Sequence, residues 1–464
     1  MKCCVVTLGC QMNQSDSERI RSVIEGVGFE MTDVEEEASL IGVVACSVRQ
    51  KAIDKVYSKI QKWNQWKSER PLVTFVSGCI LPADEVKFLK LFDLVFRMNE
   101  LPELPNLLGQ CGITTEFSAR NPLGAMHRED ERTDFWQVDP TYSSSFEAFV
   151  PIQNGCDKFC SFCAVPYTRG REVSRASADI LSEVGKLVER DVKSITLLGQ
   201  NVNSYGLDKQ GEELSFAQLL RAIGELGKNS GKDFWVYFTS PHPRDMTLDV
   251  IEAIADYDCL AKQIHLPVQS GDEKLLRRMN RNHNVEDYLK IVEDIRELLP
   301  TATIFTDIIV GFSGETDEQF ENTAQLMLDV QFNMAYIAKY SPRVGARSAR
   351  WEDDITPQQK SDRLARLSEI LKRTSLAHNE RMVGKNYRVL IDGKDKRMEG
   401  ALTGRTEGKL PVRIVGASDE FIGTIQPVEI VSAAELSLAG RLAGNKKAAL
   451  EARTALSNTH AAVT

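Results

Sequence analysis

The chain has 464 residues, of which 42% are hydrophobic and 27% charged, with a formal net charge of −9. That is the balance of a globular protein with room for about three domains. No apolar run approaches the ~18 residues that would span a bilayer, and the opening MKCCVVTLGCQMN has no long apolar region of the secretory kind, so the expected compartment is the cytoplasm, with no membrane contact. The acidic balance excludes holding nucleic acid by bulk positive charge but leaves room for a local basic patch.

Residues 1–120 alternate strand and helix signals. KCCVVTLGC, SLIGVVAC and LVTFVSGC read as buried strands, and SDSERIRSVIEGVG and RQKAIDKVYSKIQKW as amphipathic helices. Such alternation predicts a parallel α/β sheet. Residues 121–145 are polar and without period, and read as a linker. Across 146–382 the alternation restarts, with strands AFVPIQ, SITLLGQ, FWVYFTS, QIHLPVQ, TIFTDIIVGF and MAYIAKYS, five helical segments between them, and more helix at 357–382. Six units are too few for a full eightfold barrel; periodicity alone leaves a partly open barrel and an open sheet both standing. Residues 383–434 carry short β-like runs broken by Gly and Pro, a small all-β module. Between 385 and 415 it has eight Lys/Arg against four Asp/Glu: Lys385, Arg388, Lys394, Lys396, Arg397, Arg405, Lys409 and Arg413. Residues 435–464 read as an Ala-rich polar tail, loosely helical or disordered.

Ten cysteines in such a chain do not suggest a disulfide scaffold; metal ligands, nucleophiles or core residues are expected. Cys156, Cys160 and Cys163 form C-x3-C-x2-C directly after a predicted strand. Zinc would want a fourth ligand close by, and the nearest histidine, His127, lies well upstream. A 4Fe-4S cluster on three cysteines, with its fourth iron open, fits better. Phe159 and Phe162 would give it an apolar shell. Cys10, Cys46 and Cys79 each end a predicted strand, 36 and 33 residues apart. If those strands are parallel neighbours, the three thiols meet at the carboxyl edge of the sheet, where α/β ligand sites form. Cys3, Cys4, Cys111 and Cys259 follow no such pattern and read as core or surface.

The triplet resembles that of the radical S-adenosylmethionine (SAM) superfamily, and the resemblance implies a partial (β/α)6 barrel for residues 146–382. The runs Thr7-Leu8-Gly9-Cys10-Gln11-Met12-Asn13, Cys46-Ser47-Val48-Arg49 and Gly78-Cys79 resemble the amino-terminal domain of the methylthiotransferases. Gly155 through Glu172, ending at Ser174-Arg175, is similar to the same family's core signature. LLGQNVNSYG, HLPVQSG and TDIIVGFSGET match its tRNA-modifying MiaB branch, and the carboxy-terminal module, through Gly404-Arg405-Thr406-Glu407-Gly408, resembles a TRAM domain. Departures occur at Val44-Ala45 before the second cysteine, at Tyr237 where Arg is usual, at Ser313 where Pro is usual, and in YSPRVGA. They put substrate contacts or loop geometry in question more than cluster chemistry.

The resemblance implies two 4Fe-4S clusters, on Cys10/Cys46/Cys79 and Cys156/Cys160/Cys163, and SAM chelated by the open iron of the second. Phe162, Gln200, Asn201, Gln269 and Ser270 are the candidate cofactor contacts; Gln200–Asn201 and Gln269–Ser270 stand at strand ends, where a satisfied loop-entry residue is an equally simple reading. Arg169, Arg171 and Arg175 read either as a phosphate- or carboxylate-binding cluster or as a solvated loop. His242 and His265 read as hydrogen-bonded strand-end residues. The implied reaction is methylthiolation of N6-dimethylallyladenosine beside the tRNA anticodon. It uses two SAM molecules, one giving a methyl group to sulfur at the first cluster and one cleaved to a radical that attacks the adenine C2. An electron donor and a sulfur donor are required and are not identified by the sequence. The alternatives are methylthiolation of threonylcarbamoyl-adenosine or of a ribosomal-protein aspartate, and a non-catalytic iron–sulfur RNA-binding redox sensor.

Overall fold

A computed structural model describes residues 1–113 and 135–443, so part of the 121–145 linker and most of the 435–464 tail lie outside the described residues. The chain divides into two compact units. The first is Met1–Ser144 with Phe149–Arg175 and Arg343–Ala349; the second is Ser145–Ala148, Ala176–Pro342 and Arg350–Thr464.

In the first unit β1 (Lys2–Thr7), β2 (Glu30–Met31), β3 (Leu40–Cys46), β4 (Val73–Cys79) and β5 (Leu94–Val95) form one sheet in the order β2-β1-β3-β4-β5. Every pairing is parallel, as the alternation predicted. Helices α1 (Gln11–Gly26), α2 (Gln50–Trp66), α3 (Pro82–Phe88) and α4 (Leu104–Gln110) complete the alternation. Strand residues alternate between two cores, because successive side chains point to opposite faces. Cys3, Val5 and Phe75 pack with Ile20 and Ile24 of α1. Cys4, Ile41, Val43 and Val76 pack with Ile53, Val56, Ile60 and Trp63 of α2. Cys3 and Cys4 are thus core residues, as read from the sequence. Phe75 lies flat against Gly42, where a Cβ would fall 1.8 Å from its ring. Phe135 and Trp136 join the α1-side core instead of serving as free linker, since two large apolar side chains are stabilised by burial wherever a groove admits them.

The same unit holds β6 (Glu147–Pro151) from Phe149 onward, β7 (Gln153–Asn154), the cysteine loop, α5 (Val165–Arg169) and β8 (Val173–Ser174). β7 and β8 pair antiparallel and close the loop at its base.

In the second unit α6 (Ser177–Glu189), β9 (Ser194–Leu198), α7 (Phe216–Ser230), β10 (Trp235–Phe238), α8 (Leu248–Asp256), β11 (Gln263–His265), α9 (Glu273–Arg278), α10 (Val285–Leu298), β12 (Thr303–Val310), α11 (Asp317–Val330) and β13 (Met334–Lys339) alternate as expected, save that the short α9, capped by Asp272, adds a helix to the five read from the sequence. All six expected strands are present, in sheets ordered β10-β9-β6 and β11-β12-β13. A parallel bridge from Val236 to Leu260 runs between β10 and the approach to β11. The long α12 (Pro357–Glu380) opens on a Thr356/Gln359 capping box with Pro357 in its first turn.

Strands β14 (Asn386–Lys394), β15 (Ala401–Thr406), β16 (Pro411–Val415), β17 (Ile425–Ala434) and β18 (Ser437–Leu442) close a barrel in the order β14-β15-β16-β18-β17. β18 lies in the segment read as a polar tail. SLAGRL has few large apolar residues to announce a strand, yet Leu438 and Ala439 are fully buried between β16 and β17. The barrel docks through its Gly404–Gly408 signature. Tyr237 Oη donates to Glu407 O at 3.0 Å, Lys262 N to Glu407 Oε1 at 3.0 Å, and Thr303 Oγ1 to Gly408 O at 2.7 Å. The departure at Tyr237 therefore falls at a seam inside this unit.

Candidate functional site

Cys10 is the N-cap of α1, three residues beyond β1. Cys46 and Cys79 end neighbouring parallel strands and stand directly opposite each other in register. The three thiols meet electrostatically: Cys10 acts on Cys46, and both act on Cys79. Burial, and then Cys10, pushes the Cys46 thiol up, while the Val48 and Arg49 N–H groups favour its thiolate. Burial pushes Cys79 up to about 12, against the pull of Arg169. Gly78, at φ +104°, leaves no room for a Cβ beside Ala45 O at 2.6 Å. Asn13 ties the three loops together. Its Oδ1 accepts from Cys10 N at 3.3 Å, its Nδ2 donates to Ala45 O at 3.0 Å, and Nδ2 lies 3.9 Å from Cys79 Sγ.

The second triad follows β7. Gly155 at φ +81° turns the chain into the loop, and Cys156 N donates to Gly170 O at 3.2 Å. Phe159 takes a left-handed conformation, φ +48°, between Cys156 and Cys160, and its ring lies exposed beneath the Arg171 guanidinium. Cys163 N donates to Cys160 O at 3.0 Å, and Val165 N donates to Cys163 Sγ at 3.5 Å. Cys156, Cys160 and Cys163 are all partly accessible, and Phe162 between them is half-buried. Burial pushes Cys156 up to about 11, opposed by a hydrogen bond from Lys158 N–H.

The donor chemistry of both triads fits an iron–sulfur cluster. Backbone or side-chain N–H groups point at Cys46, Cys79, Cys156 and Cys163, as suits thiolates bound to iron. Among the described residues no three Cys, His, Asp or Glu gather closely enough to hold a single metal ion. A cubane asks for something looser, because each of its thiolates binds a different iron.

The three arginines do not form one cluster. Arg171 is an exposed partner of Asp157, at 2.7 Å. Arg175 is buried, with Nη1 3.4 Å from Pro151 O. Arg169, whose side chain is 5% exposed, pairs with the fully buried Asp16 and donates its Nε–H to Cys79 Sγ at 2.9 Å. Burial alone would favour its neutral form, but Asp16 and Cys79 outweigh it and hold the guanidinium firmly charged. The sequence gives no sign of this role, since Arg169 lies 90 residues from Cys79.

In the second unit the candidate amides stand at the carboxyl ends of parallel strands. Gln200 and Asn201 follow β9. Asn201 is buried, with Nδ2 donating to Asp245 Oδ2 at 3.1 Å and Oδ1 without a hydrogen bond among the described residues. Gln269 takes φ +73° and pairs through its backbone with Asp307 and Ile309 of β12. The Ser270 hydroxyl turns inward, 3.2 Å from Thr323 Oγ1, and accepts from Asp272 N at 3.2 Å. Its surroundings are those of a structural serine. His242 lies four residues beyond β10, where it caps a 3-10 turn and accepts from Arg244 N at 3.2 Å, so it is not the strand-end residue expected; His265 does end β11 and lies 3.2 Å from Asp307.

The radical SAM superfamily profile matches residues 150–327, the uncharacterized protein family UPF0004 profile residues 2–97, and the TRAM domain profile residues 380–443. A tRNA-2-methylthio-N(6)-dimethylallyladenosine synthase of Clostridium botulinum strain Alaska E43 is 39% identical over 447 residues, covering 94% of this chain and 95% of that one. The protein of the same name from Clostridium tetani is 37% identical over 442 residues, covering 94% and 95%. The chain belongs to the tRNA-2-methylthio-N(6)-dimethylallyladenosine synthase family. Among solved structures, a radical SAM methyltransferase, TsrM, from Kitasatospora setae superposes with a TM-score of 0.53 at 15% identity, over 75% of each chain. That likeness is one of fold. Membership of this family brings SAM and a 4Fe-4S cluster, and no helix among the described residues is long and apolar enough to cross a membrane.

Proposed function

We propose that the chain methylthiolates C2 of N6-dimethylallyladenosine in the anticodon stem-loop of tRNA. The observation that carries this reading is that one compact unit holds both cysteine triads, with Arg169 joining them: its Nε–H reaches Cys79, and the next residue's carbonyl accepts from Cys156 N–H. Cys156, Cys160 and Cys163 would hold the cluster that takes SAM, and Cys10, Cys46 and Cys79 a second one that carries sulfur. When bound, the first supplies the electron that cleaves SAM, the chemistry needed to open an aromatic C–H bond that ordinary acid–base groups cannot. The protein's own residues orient and shield. Gly155 and the β7–β8 pair fix the Cys156–Cys163 loop, and Asn13 holds the edges that carry Cys10, Cys46 and Cys79. Phe159 and Phe162 give the Cys156/Cys160/Cys163 triad its apolar neighbours. Asn201, whose Oδ1 has no hydrogen-bond partner among the described residues, is the strongest of the SAM contacts proposed in the second unit; Gln200 and Gln269 are further candidates, and the inward hydroxyl of Ser270 makes it the weakest.

Transfer RNA is the proposed partner, with an external electron donor and sulfur donor. The exposed cations Lys385, Lys396 and Arg397 have no ion pair among the described residues, whereas Arg388, Lys394, Arg405 and Arg413 pair with Asp233, Asp419, Asp392 and Asp395. Lys409 sits 4.1 Å from the centre of the Tyr237 ring. The three unpaired cations are the proposed phosphate contacts. The test is anaerobic turnover of the iron-loaded chain with reductant, sulfide as sulfur source, SAM and an anticodon stem-loop carrying N6-dimethylallyladenosine. The 2-methylthio nucleoside together with 5′-deoxyadenosine is the expected outcome. Deoxyadenosine without modified RNA, or modification only of a threonylcarbamoyl-adenosine RNA or a ribosomal protein, would overturn the assignment.

A further inference from the structure

Asp16, Arg169, Asn154 and Cys79 make a buried polar chain that cluster ligation by itself does not require. Asp16 belongs to α1, and its carboxylate is fully buried. Oδ2 receives Arg169 Nη2, while Oδ1 has no partner among the described residues. Arg169 Nη1 donates to Asn154 Oδ1 at 3.2 Å, and Asn154 Nδ2 returns a bond to Arg169 O at 3.3 Å. Nε–H is left for Cys79 Sγ, at 2.9 Å. Asn154 stands two residues before Cys156.

We propose that Arg169 is a positioning and tuning residue for the amino-terminal cluster: it donates an N–H to the Cys79 thiolate, sets its positive charge against that corner, and braces it on the strand leading into Cys156. This rests on the reading that Cys10, Cys46 and Cys79 hold a cluster. A neutral thiol is a poor acceptor for a guanidinium already paired with a carboxylate; a thiolate is a strong one. The planar fork of Arg serves three partners in fixed directions at once, which a Lys ammonium does not reproduce. Hydrogen bonds to ligand sulfur and local positive charge favour the state with one more electron, so Arg169 raises the reduction potential of this cluster. Asp16 opposes it with negative charge while holding the guanidinium in place.

The experiment uses the full chain with Cys156, Cys160 and Cys163 changed to Ala, so that only the amino-terminal triad binds iron. The midpoint potential is read by redox titration monitored by electron paramagnetic resonance. Arg169→Gln lowers the potential. Asp16→Asn, which keeps an acceptor for Arg169 and can place its NH2 where Oδ1 is unpartnered, raises it. Arg169→Lys, which keeps the charge but loses the fork, falls between Arg169→Gln and the parent. Opposite shifts for the two partners are not expected of a merely structural bracket. If Arg169→Gln fails to load, Arg169→Lys decides: a lowered potential supports the proposal and an unchanged one overturns it. Unchanged potentials in loaded variants, or shifts of one sign in both, overturn the tuning role while leaving the amino-terminal cluster itself standing. A parent that binds no iron overturns the cluster reading and this inference with it.

Discussion

Replacing Gly155 by Ala perturbs one cluster loop through geometry alone. Position 155 has φ +81°, which costs an L-residue about 1–2 kcal/mol. The new Cβ would sit 2.0 Å from Arg171 O and 2.7 Å from Gly170 O, so both carbonyls must move. Gly170 O accepts from Cys156 N, and losing that bond costs about 1 kcal/mol. The penalty of about 2–3 kcal/mol falls on the loop that presents Cys156, and corresponds to roughly 30- to 150-fold weaker cluster retention. The assay is iron retention against a chelator series, in the full chain with Cys10, Cys46 and Cys79 changed to Ala so that only this loop is read. The main thermal transition should stay in place, because both clashing carbonyls belong to the loop itself. If Gly155→Ala held its iron to the same chelator concentration as the parent, a rigid left-handed entry would not be what prepares this triad.

Anaerobic reconstitution should give about eight irons per monomer, falling to about four when either triad is changed to Ala; full loading of both triple variants would contradict the two-cluster reading. Charge removal at Lys385, Lys396 and Arg397 together should flatten the log–log salt dependence of tRNA binding by about 2, at ~0.7 per phosphate on single strands. An unchanged slope would place the RNA elsewhere. His283 is held neutral by burial and by Arg281, its pKa lowered from 6.5 to about 4. The unfolded chain therefore takes up a proton that the folded one refuses. The associated stability is fully present above pH ~6.5 and is lost as the pH falls towards about 4, on the order of 2–4 kcal/mol. His283→Gln should show a shallower loss of melting temperature over that window, and a parallel curve would refute the assignment.

The strands that position Cys10, Cys46 and Cys79 were legible because the apolar runs KCCVVTLGC, SLIGVVAC and LVTFVSGC each close on a cysteine about one βα unit apart; β1 itself stops at Thr7, so Cys10 caps α1 where a strand end was expected. The cysteine loop was legible from its spacing. What escaped the sequence was polar burial. Asn13, Ser15, Asp16, Ser17, Glu18 and Arg19 form a run that reads as the solvated face of α1, yet all six are buried. Their partners, Ala45, Phe149, Arg169 and Ser143, lie 32 to 153 positions away, so no local pattern reports them. Arg169 looked like one of three equivalent arginines for the same reason. The Gly404–Gly408 signature was readable as a motif, but its place at a seam with Tyr237, Lys262 and Thr303 depends on tertiary packing. β18 was hidden by its small residues, which a closed barrel accepts where Gly440 passes close to Glu429 O, at 2.7 Å from its would-be Cβ.

Nucleoside mass analysis of total tRNA from a strain deleted for the gene tests whether this chain places a methylthio group on N6-dimethylallyladenosine in tRNA. In that strain the 2-methylthio form should be missing and N6-dimethylallyladenosine should accumulate in its place. The wild-type chain should restore the modification, and chains lacking either cysteine triad should not. Undiminished 2-methylthio nucleoside in the deletion strain, or restoration by a chain without Cys10, Cys46 and Cys79, would contradict it.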